Sequence, residues 1–310
     1  MRSFPMFVIA AALSVAGAAA AQQAPFTPGP ENDPETCADL WKGVGLPDYA
    51  RDDERDTTIV CHTKYALSHS NEDKTPDWVL EHLTRAQVSG TNKRPKMKFQ
   101  PEPFVADDKR AVDKDYANSK FDRGHQAPSD DFKQDRDWMV ESFFLSNIVP
   151  QVGVGFNRGI WKELEDHVRD VTRDRGELYV ITGPVYRGES GDGKITISDS
   201  VNACRNKIVL DPPKRQSVCG AKTSCDAGVT VPSALFKIVY DPRNKRANAF
   251  ILPNINHRDT ADFTEALDYL KKFQVTVQVV EKYTGLEFFR AIPARSRKPF
   301  MTQCGALMTH

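Results

Sequence analysis

Several stretches of this chain carry the β-branched and aromatic signature of strands: Thr57–Val60, Phe143–Ile148, Glu177–Thr182, Ala234–Tyr240 and Ala249–Leu252. Most end at Gly or Pro, as strands entering turns do. Elsewhere the apolar period changes to that of a helix. Trp161, Leu164, Val168 and Val171 fall on one stripe, which predicts a helix over 159–173. A second helix is predicted over 260–273. These elements are interspersed without a regular strand–helix–strand alternation, so the pattern points to an α+β domain and not a doubly wound one. The Gly-rich stretch from Gly188 to Gly193 lacks the Lys-Ser/Thr of a phosphate loop and reads as a turn between strands.

The first 21 residues have a different character. One basic residue, Arg2, precedes an apolar run from Phe7 to Ala16 and then the small residues Ala18–Ala21. This is the pattern of a secretory signal peptide, and its apolar core is too short to span a bilayer. The Pro-rich, polar stretch over 22–36 is expected to be a leader without fixed structure. A single domain is expected over 37–310. All six cysteines, at 37, 61, 204, 219, 225 and 304, lie in that domain. An even count in an exported chain implies disulfides, and no Cys-x-x-Cys pair suggests zinc instead; the pairing itself is left open.

Charge alters this picture little at the level of the whole chain. Lys plus Arg and Asp plus Glu both total 42, so the balance is zero, which does not advertise a binder of nucleic acid. The cations are nevertheless clustered, with four in the six residues Lys93–Lys98 and further groups at Arg243, Lys245, Arg246 and at Arg295, Arg297, Lys298. Any one such cluster can equally be a solvated loop.

Candidate chemistry is concentrated in Phe121-Asp122-Arg123-Gly124-His125-Gln126-Ala127-Pro128 and in the later run from Leu145 to Glu165. A histidine beside a charged pair is on its own more often a hydrogen-bonded structural residue than a catalytic one. Downstream, Asn157, Trp161 and Glu165 are spaced by four, so on a helix they share a face, with Trp161 packed inward and the two polar side chains reaching one cavity. Asn157 is also a good helix N-cap, and capping would compete with any role as a metal ligand.

Taken together, these segments resemble the DNA/RNA non-specific endonuclease family of the ββα-metal superfamily. The likeness continues through Trp78–Leu83, Asp115-Tyr116, Tyr179–Tyr186, Leu252-Pro253-Asn254 and Thr284–Phe289, covering roughly Cys61 to Phe289 in order. The resemblance implies a mixed α/β sandwich around a central, mainly antiparallel sheet, with a ββα-metal motif. It implies His125 as general base, Asn157 as the one direct protein ligand to Mg²⁺, and Glu165 as the carboxylate that orients water on the metal. Arg123 and Asn147 match supporting positions. The family's phosphate-contacting arginine corresponds to Arg94, one residue out of register, with Lys93 the alternative. Asp122 is read as an ion-pair partner beside Arg123 and not as a second metal ligand. The implied activity is hydrolysis of DNA and RNA phosphodiesters with Mg²⁺, Mn²⁺ being the substitute metal, in a secreted or periplasmic protein. Homodimerisation is left open. Two other readings stand beside it: an exported phosphodiesterase acting on smaller esters, and a silent nucleic-acid-binding protein.

Overall fold

The computed structural model describes residues 34–50, 55–186, 228–259 and 266–308, together with Asn32, Cys204 and the short pieces 195–197, 208–210 and 217–218. The expected signal peptide and the Gly188–Gly193 stretch lie outside the described residues. At the centre is a seven-stranded antiparallel sheet. Its strands are β1 (Thr57–Cys61), β2 (Tyr65–Ser70), β3 (Thr75–Thr84), β6 (Glu177–Val185), β7 (Ala234–Asp241), β8 (Arg246–Pro253) and β9 (Gln274–Val275). Their spatial order is β9-β8-β7-β6-β3-β2-β1. Two further strands, β4 (Phe121–His125) and β5 (Ile148–Val152), form a separate antiparallel ribbon.

Because side chains alternate along a strand, each sheet face is read from every second residue. Trp78 and Leu80 of β3, Tyr179 and Ile181 of β6, and Phe236 and Ile238 of β7 build one core. The helical turn Pro34–Trp41 and helices Val277–Thr284 and Ala294–Thr302 bring residues to the same core. The intervening residues Leu83, Leu178, Val180, Leu235 and Val239 face the other way and meet Trp161, Leu164, Val168 and Val171 of helix α1 (Trp161–Arg175). The predicted apolar stripe is therefore the surface by which α1 is seated on the sheet. Gly176, at φ 96°, ends it.

Three expectations require correction. The predicted strand over Phe143–Ile148 is instead a turn of 3₁₀ helix, Leu145–Asn147, followed by β5 from Ile148. Its apolar residues signalled burial, while the Asn147 side chain folds the backbone by bonding to Ser142 and Ala127. Helix α1 begins at Trp161 and not at 159, because Gly159 has the non-helical angles φ −135° and ψ −118°. Of the helix predicted over 260–273, the structure shows Ala266–Lys271, and 260–265 lies outside the described residues. Strands β2 and β3 were not anticipated. Both are buried almost throughout, so they lack the alternation that marks a half-exposed strand.

Disulfides join Cys37 to Cys61 and Cys204 to Cys304, spanning 24 and 100 residues; Cys219 and Cys225 lie outside the described residues. Replacing Cys37 and Cys61 by Ser is expected to lower stability by about 3 kcal/mol, and replacing Cys204 and Cys304 by roughly 1 kcal/mol more, because the longer loop gains more freedom when unfolded. Urea denaturation of the two double variants measures this. Equal midpoints to the native chain would contradict a structural role for the bridges.

Candidate active site

His125 is the last residue of β4, paired across the ribbon with Ile148. Close backbone contact is possible because position 124 is glycine: a Cβ there would lie 2.0 Å from the Cδ of Gln151. Just beyond the strand, Asn147 fixes the chain. Its Oδ1 accepts from the Ala127 amide at 2.9 Å, while its Nδ2 donates to the carbonyls of Ala127 (2.8 Å) and Ser142 (2.9 Å). The imidazole then stands between Phe99 and Phe143, with ring centroids 5.4 and 5.2 Å away. Its Nε2 is buried and has no hydrogen-bond partner. Burial, helped by the nearby Arg94 guanidinium, pushes the imidazole pKa down to about 3, so the ring is neutral and its free nitrogen carries no proton that would block it as an acceptor.

Asn157 lies in the wound but irregular segment Gly153–Ile160, ahead of α1. Gly155 takes φ 83° there, and a Cβ would strike Asn256 Oδ1 at 1.9 Å, so this turn needs glycine on both counts. No side chain caps α1. The Asn157 amide is instead oriented by Asp122, whose Oδ2 accepts from Nδ2 at 2.9 Å, leaving Oδ1 as the amide's acceptor. Asp122 is ion-paired, but with Arg158 at 2.9 Å. Its neighbour Arg123 pairs with Asp113 at 2.8 Å. The expectation of a local Asp122–Arg123 pair is thus corrected: adjacent residues on a strand point to opposite faces.

Arg94, Arg123, His125, Asn157 and Glu165 all line one cavity of ≈ 180 Å³. Trp161 is fully buried beneath it, so the four-residue spacing does bring Asn157 and Glu165 together, although only Glu165 is on the helix proper. Lys93 is exposed and is not among the lining residues. Asn147 is also away from the cavity wall and acts only through the loop it braces.

Three further cations line the cavity: Arg158, Lys162 and Arg169. Together with Arg94 and Arg123 they make five, against two carboxylates, Asp130 and Glu165. The signal for them was the spacing 158, 162, 165, 169, one face of a helix. Arg169 is buried in an ion pair with Asp131 at 2.6 Å and also meets Asp166. Glu165 is pushed up to about 7, chiefly by burial and against the pull of the Lys237 and Arg169 cations.

Could these residues hold a metal? The described residues contain no cluster of three or more His, Cys, Asp or Glu side chains. The donor set fits a hard ion of the Mg²⁺ type, which takes few protein oxygens and keeps water and substrate oxygens as its other ligands. A larger cavity of ≈ 500 Å³ contains His62 and His82, but each is already paired with a carboxylate, Glu102 at 3.1 Å and Glu177 at 3.0 Å. Neither is a ready base.

Residues 50–295 match the model of the DNA/RNA non-specific endonuclease family. Human mitochondrial nuclease EXOG is 32% identical over 243 residues, 75% of this chain and 57% of that protein. Nuclease C1 of Cunninghamella echinulata var. echinulata is 34% identical over 234 residues, 73% of this chain and 80% of the relative. This chain thus spans little more than half of the human protein. Among solved structures, one described as the EndoG/EndoGI complex superposes with a TM-score of 0.61 at 30% identity, covering 77% of this chain and 88% of that one. The chain belongs to the DNA/RNA non-specific endonuclease family, whose members are metal-dependent nucleases.

Proposed function

We propose that this protein hydrolyses the phosphodiester bonds of DNA and RNA with Mg²⁺, His125 being the general base. The observation that carries this reading is the buried, unpartnered Nε2 of a neutral imidazole in a cavity ringed by cations. Attack of water on phosphorus requires a group to take a proton, and His125 Nε2 is placed to take it. The arginine nearest the imidazole in charge effect, Arg94, lowers its basicity; a bound phosphodiester offsets that field and raises it again. Arg94, Arg123 and Arg158 supply positive charge where it develops on the phosphoryl oxygens.

Asn157 Oδ1 would hold the ion, with Asp122 fixing the amide's orientation and Glu165 positioning water from α1. Mg²⁺ bound there would supply charge neutralisation at the phosphate and the departing oxygen. None of the lining residues discriminates between bases, and contacts to the sugar–phosphate backbone carry no direct sequence information. Acceptance of both DNA and RNA follows. Residues 1–21 are the export signal in this reading, placing the mature domain outside the cytoplasm.

His125→Ala is expected to reduce hydrolysis of plasmid DNA and of structured RNA by about 10²-fold or more, with the far-ultraviolet circular dichroism unchanged; substantial residual turnover would remove His125 as base. Chelator should abolish activity of the native protein. Asp122→Ala and Asn157→Ala should each raise the Mg²⁺ concentration needed for half-maximal rate by roughly 10-fold or more, and a native Mg²⁺ titration in the Asn157 variant would contradict its assignment as ligand. A faster rate on a small aryl phosphodiester than on DNA would favour the smaller-ester reading.

Stability tests the imidazole separately. Unfolded histidine binds a proton below its ordinary pKa of 6.5, whereas folded His125 does so only near 3. Stability is therefore present in full above 6.5 and lost as pH falls towards 3. Replacing His125 by Asn should flatten the melting temperature against pH across that window in metal-free protein. An unchanged slope would show that other groups set it.

A further inference from the structure

The sheet face under α1 has a feature that the hydrolytic site has not yet used. Along β3 the inward row is Leu83, Glu81, Val79; along β7 it is Leu235, Lys237, Val239. Each apolar row is interrupted at its middle by a charged residue. Lys237 is 1% exposed and Glu81 0%. The strand between them, β6, places Thr182 directly opposite Lys237 in the register, and Lys237 Nζ donates to Thr182 Oγ1 at 2.6 Å. The ammonium stands 5.1 Å from the Trp161 ring, one helical turn before Glu165.

Burying an ion without an adjacent counter-ion costs several kcal/mol, so these positions do not exist for stability alone. No carboxylate oxygen lies within ion-pair distance of Lys237 among the described pairs; burial pulls its pKa below the ordinary lysine value, and the charges of Glu165, Glu81 and Asp131, Glu165 foremost, oppose that fall and favour the ammonium. The carboxyls are not equivalent. No donor reaches either oxygen of Glu81. Burial, with the charge of Asp131 next, pushes the Glu81 carboxyl well above its usual range and favours the protonated form. Asp131 is held as the partner of Arg169. That leaves two cations, Lys237 and Arg169, among three carboxylates, Asp131, Asp166 and Glu165. Arg169 is already engaged by Asp131 and Asp166, so the free share of positive charge facing Glu165 from the sheet is that of Lys237.

We propose that Lys237 is a positioning residue for the hydrolytic site, its buried ammonium beneath the Trp161–Glu165 turn of α1 holding the Glu165 carboxylate toward the cavity. This rests on the reading of the cavity as a phosphodiesterase site. The groups that face Glu165 are Lys237 from β7, Glu81 from β3, Asp131 from the turn Ser129–Phe132, and Asp166 and Arg169 from α1 itself, with Lys162, Arg158, Arg123, Arg94, His125 and Asp130 around the cavity. Removing the ammonium takes away the cation that reaches Glu165 from the sheet, on the side away from the cavity mouth.

The test is Lys237→Met in the full chain. At neutral pH its kcat on DNA with Mg²⁺ is expected to fall about 10-fold or more, with KM changed less than about twofold. The acid limb of its pH–rate profile should move up by about one unit, so that much of the loss is recovered at higher pH. In metal-free protein, the ¹³C carboxyl resonance of Glu165, assigned by its loss in Glu165→Gln, should titrate at higher pH than in the native chain. A uniform loss at every pH, or an unshifted carboxyl titration in folded Lys237→Met, overturns the proposal. If Lys237→Met does not fold, Thr182→Val removes the hydrogen bond that places the ammonium; it should shift both readouts in the same direction by a smaller amount, and no shift overturns the proposal equally. If the native protein fails to cleave DNA or RNA, the phosphodiesterase reading falls instead, and the Glu165 titration still decides whether Lys237 acts on it.

Discussion

The side chain of Asn147 is the constraint from which the site is built. One amide closes hydrogen bonds to both backbone groups of Ala127 and to the Ser142 carbonyl. The backbone carbonyl of Asn147 accepts from the backbone amide of Gln126. Every bond is buried, where an unmade partner costs about 1–3 kcal/mol. The amide therefore ties the end of β4 to the start of β5, and fixes the height at which His125 leaves the ribbon. Neither Phe99 nor Phe143 could hold the imidazole alone, because aromatic contacts restrict a ring without setting its distance from a second strand. Asn147 does this from outside the cavity.

The second half of the site depends on the irregular run Gly153–Ile160. A regular helix through these residues would place Asn157 on the axis of α1 and offer its amide to the helix N-terminus. The positive φ of Gly155 and the non-helical angles of Gly159 instead detach Asn157 from α1 and carry it to Asp122 on β4. The ribbon and the helix thus meet through side chains, Asn157 to Asp122 and Arg158 to Asp122. Two elements that the sheet supports independently are brought into one cavity.

Much of this was legible in the residues. The period of the apolar positions located α1 and the central strands β6, β7 and β8, and the ordered likeness to a known family indicated His125, Asn157 and Glu165. What it could not reveal had physical reasons. Strands β2 and β3 are buried almost throughout, and polar residues such as His69, Asp77 and Glu81 stand among their buried positions, so their periodicity is hidden. The turn at Leu145–Asn147 looked like a strand because its apolar content reports burial and not backbone angle. Asp122 was assigned the wrong arginine because chain adjacency does not predict pairing across a ribbon. Lys237 looked like one more polar residue in a strand; only the register, which sets it against Thr182, shows that it points inward.

The placement of charge also has a kinetic meaning. The chain as a whole is neutral, yet five cations converge on one small cavity against two carboxylates. A uniformly basic protein would adhere along a polyanion and slide over it, whereas here the cavity gathers five cations and acts on the phosphates that enter it, its field screened within about 10 Å at moderate salt. Once a strand is cut and its end leaves the cavity, a chain of zero overall charge balance gives the product no long-range attraction. Such a distribution favours release after each encounter and a fresh collision elsewhere, the behaviour of an enzyme that reduces a nucleic acid to fragments throughout its length instead of working along it from one end.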